Sequence, residues 1–200
     1  MKLTWTIVYF AGMIAQIAIR APYDRLRRGR AKTDRRVSGV EQALIGVMSV
    51  AMLLIPALAG FSPWLDGLGY GLPDEIGFWV GVLGVIVLVA SLWVFWRAHV
   101  DLGANWSPSL EIGDGHTLVT HGIYASIRHP MYASQALGAL AQALLIQNWV
   151  AGPAAVLVFL GLYLVRVPQE ERMMADHFGE RYAAYCAQTG RILPRRARRP

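Results

Sequence analysis

An all-α fold, a polytopic membrane helix bundle of about five transmembrane helices with a C-terminal helical hairpin and an interfacial helix, follows from three observations. Hydrophobic residues make up 55% of the 200 positions and charged residues 16%, too apolar for a soluble domain of this length. The apolar residues gather at 3–19, 43–61, 76–96, 132–150 and 153–167, most of these stretches close to the roughly 20 residues that cross a bilayer core. The cations sit in loops beside the stretches, where anionic lipid headgroups attract them.

The first stretch lacks a small-residue cleavage site and runs into a basic segment, so it is expected to be a retained helix and not a signal peptide. Arg20, Arg25, Arg27, Arg28, Arg30, Lys32, Arg35 and Arg36 separate it from the second stretch, whereas residues 62–75 hold Asp66, Asp74, Glu75 and no cation. Because positive charge marks the cytoplasmic side, the N-terminus is expected outside and the Arg-rich loop inside. Five spans then bring Arg195, Arg196, Arg198 and Arg199 inside as well. In the third stretch, Gly77 and Gly81 have the spacing that lets helix backbones approach closely.

The longest hydrophilic segment, 97–128, carries Asn105, Trp106, Asp114, Gly115, His116 and Thr117. Loops of this size are usually functional or disordered. Leu118, Val119 and Thr120 read as a short extended piece before a turn at His121-Gly122. The residue before a proline avoids the right-handed helical region, which sets His129 at a boundary and Pro130 in the first turn of the fourth span. Gln147-Asn148 and Gly152-Pro153 turn the chain back, and the fifth stretch, with only about 15 residues, is expected to be a short span or one that crosses incompletely. Pro168 is expected to begin a separate polar helix, with Met173, Met174, Phe178, Tyr182, Tyr185 and Cys186 forming an apolar stripe at the interface.

Several functions are disfavoured. The net charge of +6 resides beside spans, so nucleic-acid binding is not expected. Gly67-Leu68-Gly69-Tyr70-Gly71 imitates a nucleotide-binding loop but lies between two spans without a strand-turn-helix context. His116, His121 and His129 lack paired-ligand spacing, and no metal is expected. Cys186 is the single cysteine and cannot form an internal disulfide.

Two polar clusters bracket the hairpin: Gly122-Ile123-Tyr124 with Arg128-His129-Pro130-Met131-Tyr132 before it, and Arg166, Glu170-Glu171 and Phe178-Gly179-Glu180-Arg181-Tyr182 after it. Two spans return the chain to its starting side, so His129 and Glu170 are expected to lie near each other at one bilayer face. The order Gly-x-Tyr, Arg-His-Pro-x-Tyr, hairpin, Glu-Glu, Phe-Gly-x-x-Tyr-x-x-Tyr resembles the isoprenylcysteine carboxyl methyltransferase family, over roughly residues 105–194. The wider superfamily includes phospholipid N-methyltransferases and enzymes that methylate small thiols.

The resemblance implies S-adenosylmethionine as methyl donor. It sets His116, Thr117, Leu118 and Val119 on a strand-like segment against the cofactor, Tyr124 on the cofactor-binding tyrosine, and His129, Pro130, Met131 and Tyr132 on the family's His-Pro-x-Tyr. Glu170 falls on a cofactor-contacting glutamate and Arg166 on an arginine assigned to substrate and catalysis, while a further contact aligns ambiguously with Glu111 and the role of Glu171 stays open. One domain is expected: 1–104 for three helices and the basic loop, 105–194 for the cofactor-binding region, and 195–200 for a basic tail.

Adenosylmethionine combines a sulfonium and ammonium, a carboxylate, a ribose diol and a flat adenine, and these residues match it chemically. Glu170 accepts from the ammonium or ribose; Arg128, His129 and free N–H groups at a helix start suit the carboxylate. Tyr124 and Tyr132 offer π-faces and hydroxyls. Arg166 would orient and partly neutralise a carboxylate substrate. The expected partners are membrane lipids and a lipophilic acceptor, most of all a prenylcysteine-like carboxylate, with no obligate protein partner. The alternatives are a phospholipid amine or small thiol as acceptor, or a non-catalytic transporter or assembly factor. Few charges lie inside the spans, which argues against an ion path.

Overall fold

The computed structural model describes residues 1–27, 32–35, 39–103, 111–113 and 117–195. Its helices are α1 (Lys2–Arg27), α2 (Gly39–Ser49), α3 (Ile55–Phe61), α4 (Asp74–Leu102), α5 (Pro130–Ile146), α6 (Ala151–Phe178) and α7 (Glu180–Gln188). A π-turn, Val50–Leu54, joins α2 to α3 without a break. Among the described residues, four helical stretches are long and apolar enough to cross a membrane: Lys2–Arg25, Gln42–Phe61, Asp74–Leu102 and Ala151–Phe178. The chain is an integral membrane protein, and α5 packs between α4 and α6 as a helix of 17 residues, roughly 26 Å long.

Two expectations are corrected. The fifth apolar stretch belongs to the 28-residue α6, so the short member of the hairpin is α5. Pro168 does not start a new helix, because it lies inside α6 and withdraws only one backbone donor from a helix continuous on both sides. The break falls instead at Gly179, whose φ of 55° suits glycine and separates α6 from α7. The two-stranded antiparallel sheet pairs β1 (Lys32–Arg35) with β2 (Glu111–Gly113), and residues 117–120 lie outside it.

Close packing of α1, α4 and α5 follows from small residues. A Cβ on Gly81 would come within 2.2 Å of the Trp5 ring, so only glycine lets α1 approach α4 there. Between α4 and α5, Ser91 Oγ donates to the Ser134 carbonyl at 2.9 Å and Ser134 Oγ donates back to the Ser91 carbonyl at 3.0 Å. At the π-turn, Gln142 Nε2 donates to the carbonyl oxygens of Ala51 at 2.9 Å and Ala151 at 2.6 Å. Tyr9 Oη lies 2.6 Å from Gln142 Oε1 and 2.8 Å from the Met52 carbonyl, so one buried polar knot ties α1, the π-turn, α5 and α6 together. Buried polar groups in an apolar medium require such partners.

The α5–α6 turn sits at one end of the bundle. Gln147 adopts the left-handed conformation, with φ 48° and ψ 44°, and Gly152 and Pro153 lie in the first turn of α6. Asn148 Oδ1 accepts from the N–H groups of Val150 at 3.1 Å and Ala151 at 3.0 Å, capping α6. Its Nδ2 donates to the Leu65 carbonyl at 2.8 Å, and backbone bonds join Trp149 to Leu68 and Tyr70 to Gln147. Lys2 reaches the same end, pairing with Asp66 and donating to the Ser62 carbonyl at 2.9 Å.

Candidate functional site

At the opposite end of the hairpin, α4 holds the entry to α5. Asp101, in the last turn of α4, accepts from the Ile123 N–H at 2.8 Å and is paired with Arg97 at 2.8 Å. Gly122 has φ 60°, and a Cβ there would lie 2.2 Å from Asp101 Oδ2; both facts require glycine. The resulting short turn, Gly122–Ala125, buries Tyr124, whose carbonyl accepts from Tyr185 Oη at 2.7 Å. Burial, and then the charge of nearby Glu170, pushes the Tyr124 hydroxyl well above its usual range, so it stays protonated as a donor. Burial raises Tyr185 in the same way.

His129 precedes α5 with φ −124° and ψ 58°, outside the helical region as a residue before proline should be. Its backbone N–H donates to the Arg191 carbonyl at 2.9 Å, and that of Arg128 to the Gly190 carbonyl at 2.9 Å. These two donors, which precede the helix, are taken by the chain itself. They belong to a short parallel pairing of residues 126–129 with 190–191, in which Ile127 bridges Gly190.

The adjacent glutamates of α6 face different partners. Glu171 Oε1 accepts from Arg128 Nε at 2.8 Å, His129 Nε2 at 3.2 Å and Arg191 Nε at 3.1 Å, while its Oε2 accepts from Arg191 Nη2 at 2.7 Å. This hydrogen bonding holds the Arg191 guanidinium above its ordinary range. Arg128 Nη1 also donates to the Thr189 carbonyl at 2.8 Å. A carboxylate only accepts, so the hydrogen on His129 faces Glu171 through Nε2.

Glu170 is the more open of the two. Tyr132 Oη donates to its Oε2 at 3.0 Å, its Oε1 lies 4.0 Å from His129 Nδ1, and 33% of its side-chain surface is exposed against 15% for Glu171. The buried rings of His129 and Tyr132 meet edge to face at 5.7 Å, and Tyr132 meets Tyr163 at 5.9 Å. Arg166 is half-buried one helical turn before Glu170, on the same face of α6. A half-open carboxylate and aromatic edges thus meet beside α5, with Arg166 one turn away along α6.

The remaining expected residues are distributed around this centre. Pro130 is buried at the first position of α5 and Met131 is half-buried. Val119 is buried, Leu118 half-buried and Thr117 exposed, all in the approach to Gly122. His116 lies outside the described residues; Glu111 is placed in β2, opposite Arg35 in the backbone register. Among the described residues no group of three or more His, Cys, Asp or Glu side chains is arranged to hold a metal ion. Sequence reasoning passed over Asp101, Thr189 and Arg191, read Tyr185 only as part of an apolar stripe, and left Glu171 open although it is the hub. The available signal for Arg191 was a cation set apart from the terminal arginine cluster.

Known proteins similar to this chain include members of one family. The profile of the Isoprenylcysteine carboxyl methyltransferase (ICMT) family matches residues 82–176, from within α4 to near the end of α6. Protein-S-isoprenylcysteine O-methyltransferase A of Arabidopsis thaliana is 26% identical over 119 residues, 58% of this chain and 60% of that protein. Protein-S-isoprenylcysteine O-methyltransferase of Homo sapiens is 29% identical over 118 residues, 58% of this chain and 42% of that protein. A solved structure of a eukaryotic intramembrane Ras methyltransferase is 25% identical, with 79% of this chain and 54% of that chain covered at a TM-score of 0.49. The matches thus span between about two fifths and three fifths of these relatives' own lengths. Residues 82–176, which carry the His129–Tyr132–Glu170 cluster, are thus similar to the isoprenylcysteine carboxyl methyltransferase family.

Proposed function

We propose that this protein transfers a methyl group from S-adenosylmethionine to the carboxylate of a lipophilic, prenylcysteine-like acceptor at the His129–Glu170 end of the bundle. The observation that carries the reading is Glu170: it is held by Tyr132 beside His129, yet a third of its side chain remains open. The donor set fits adenosylmethionine, which needs an anionic acceptor, hydrogen-bond donors and aromatic walls together. Glu170 would accept from its ammonium or ribose hydroxyls, with Tyr124, His129, Pro130, Met131 and Tyr132 forming the adjoining wall. Arg128, whose Nε and Nη1 are committed to Glu171 and the Thr189 carbonyl, contributes positive charge at the carboxylate end. The approach through His116, Thr117, Leu118 and Val119 would flank the same ligand.

When bound, the donor supplies a methyl group activated by its sulfonium. An acceptor carboxylate oxygen would displace it in line, one C–S bond breaking as one C–O bond forms, to leave a thioether and a methyl ester. No proton moves, so the protein's task is alignment and exclusion of water. Arg166, one turn from Glu170, would pair with the acceptor's carboxylate and turn one oxygen toward the methyl. The positive-inside pattern of the loops supports a cytoplasmic position for this end.

Incubation of the purified protein with methyl-labelled adenosylmethionine and a panel of prenylcysteine, phospholipid and small-thiol acceptors tests the reading by mass analysis. Label is expected in a base-labile methyl ester of the prenylcysteine. Labelling of a lipid amine or a thiol alone would replace the acceptor class, and no transfer to any acceptor would remove the enzymatic reading.

A further inference from the structure

The C-terminal segment after α7 joins the same cluster from outside the hairpin. Thr189 is buried, and Gly190 and Arg191 supply the carbonyl oxygens that receive the N–H groups of Arg128 and His129. Ile192 packs into the cluster that contains Tyr132, Phe159 and Val167, with Tyr163 beside it. Between these anchors the Arg191 guanidinium grips both oxygens of Glu171, through Nε at 3.1 Å and Nη2 at 2.7 Å. The segment is therefore a strap across the start of α5, and Arg191 is its ionic clasp.

The clasp bears on His129 through a single atom. Glu171 Oε1 is shared by Arg191, Arg128 and His129 Nε2. A carboxylate free to rotate about its last bond would present either oxygen at a range of angles. A two-pronged guanidinium fixes its plane, because both oxygens are then held by one rigid group. With the plane fixed, Oε1 stands where it orients the buried imidazole.

We propose that Arg191 is a positioning residue of the methyl-donor site: by fixing the plane of Glu171 it sets the orientation of His129 and Arg128 toward the bound donor. The inference rests on the donor site proposed above. Arg191 itself is half exposed, at 52% of its side chain, against 15% for Glu171 and 4% for His129. An exposed pair of this kind adds little to global stability, so its worth lies in local order.

The test uses the full chain in detergent micelles, with S-adenosylhomocysteine as the calorimetric probe and thermal unfolding recorded in parallel. R191A is expected to weaken probe binding about tenfold, equivalent to ~1.4 kcal/mol, and to raise KM for the donor by a similar factor with kcat changed less than about twofold. R191K, which keeps the charge and loses the fork, is expected to fall between R191A and the unsubstituted protein. A merely structural role would lower the melting temperature and leave the affinity of the folded fraction unchanged; that result overturns the proposal. Should R191A fail to fold, R191K decides: weakened affinity supports the clasp, and unaltered affinity overturns it. If the unsubstituted protein binds no probe, the donor site itself fails and the clasp with it. If it binds the probe and E170A does not, unaltered affinity in R191A and R191K removes the clasp alone.

Discussion

The α5–α6 hairpin is secured at both ends, by different chemistry. At the turn, Asn148, Gln147 and Trp149 are tied to the α3–α4 loop by amides and backbone groups whose donors meet acceptors within the protein. At the open end, α5 and α6 are joined through Arg128, His129, Tyr132, Glu170 and Glu171, with Arg191 closing from outside. Holding two helices together requires only the first kind of closure. At the open end one ionisable group, Glu170, keeps an open face, and this contrast supports the proposal that the second end is the one that acts.

Substitutions can separate these two ends, and the largest effect is expected at the open carboxylate. Glu170→Ala and His129→Ala should each weaken S-adenosylhomocysteine binding about a hundredfold or more, with helicity and elution volume retained, because buried charge-assisted contacts are worth about 2–5 kcal/mol. Unchanged calorimetric affinity in both would sink the site. Arg166→Ala should lower kcat for a carboxylate acceptor roughly tenfold to a hundredfold and move donor affinity less than threefold, as loss of a contact made to the acceptor in the transition state does. A larger change in donor affinity than in turnover would reassign Arg166 to the donor.

At the turn the ranking should invert. Asn148→Ala removes the cap of α6 and the bond to the Leu65 carbonyl, and should destabilise the bundle by about 1–2 kcal/mol while leaving donor affinity within twofold. Reversible unfolding in mixed micelles and a parallel titration measure both quantities. Loss of donor affinity in the folded fraction would show that the two ends are not separable.

Much of this arrangement is legible in the sequence, for reasons tied to particular residues. Apolar runs of bilayer length define the spans, and the two between the Arg-rich loop and residues 97–128 return the chain to the side it left; two further spans return it from His129 to Glu170. His129 before Pro130 is a local steric matter and reads directly. Other features are non-local. Whether Glu170 or Glu171 faces Tyr132 depends on how α6 is rotated against α5, since neighbouring helical residues point about 100° apart. The pairing of 126–129 with 190–191, and of β1 with β2, joins segments with no shared periodicity. Pro168 misleads because a membrane helix tolerates a proline that would end a soluble one.

Ultraviolet cross-linking of labelled adenosylmethionine to the folded protein, followed by peptide mapping, asks directly which end holds the donor. The label is expected on peptides that contain residues 117–132 or 163–171, and to disappear with excess unlabelled S-adenosylhomocysteine. Competable label on residues 62–73 or 147–150, the amide-closed end, would contradict the account.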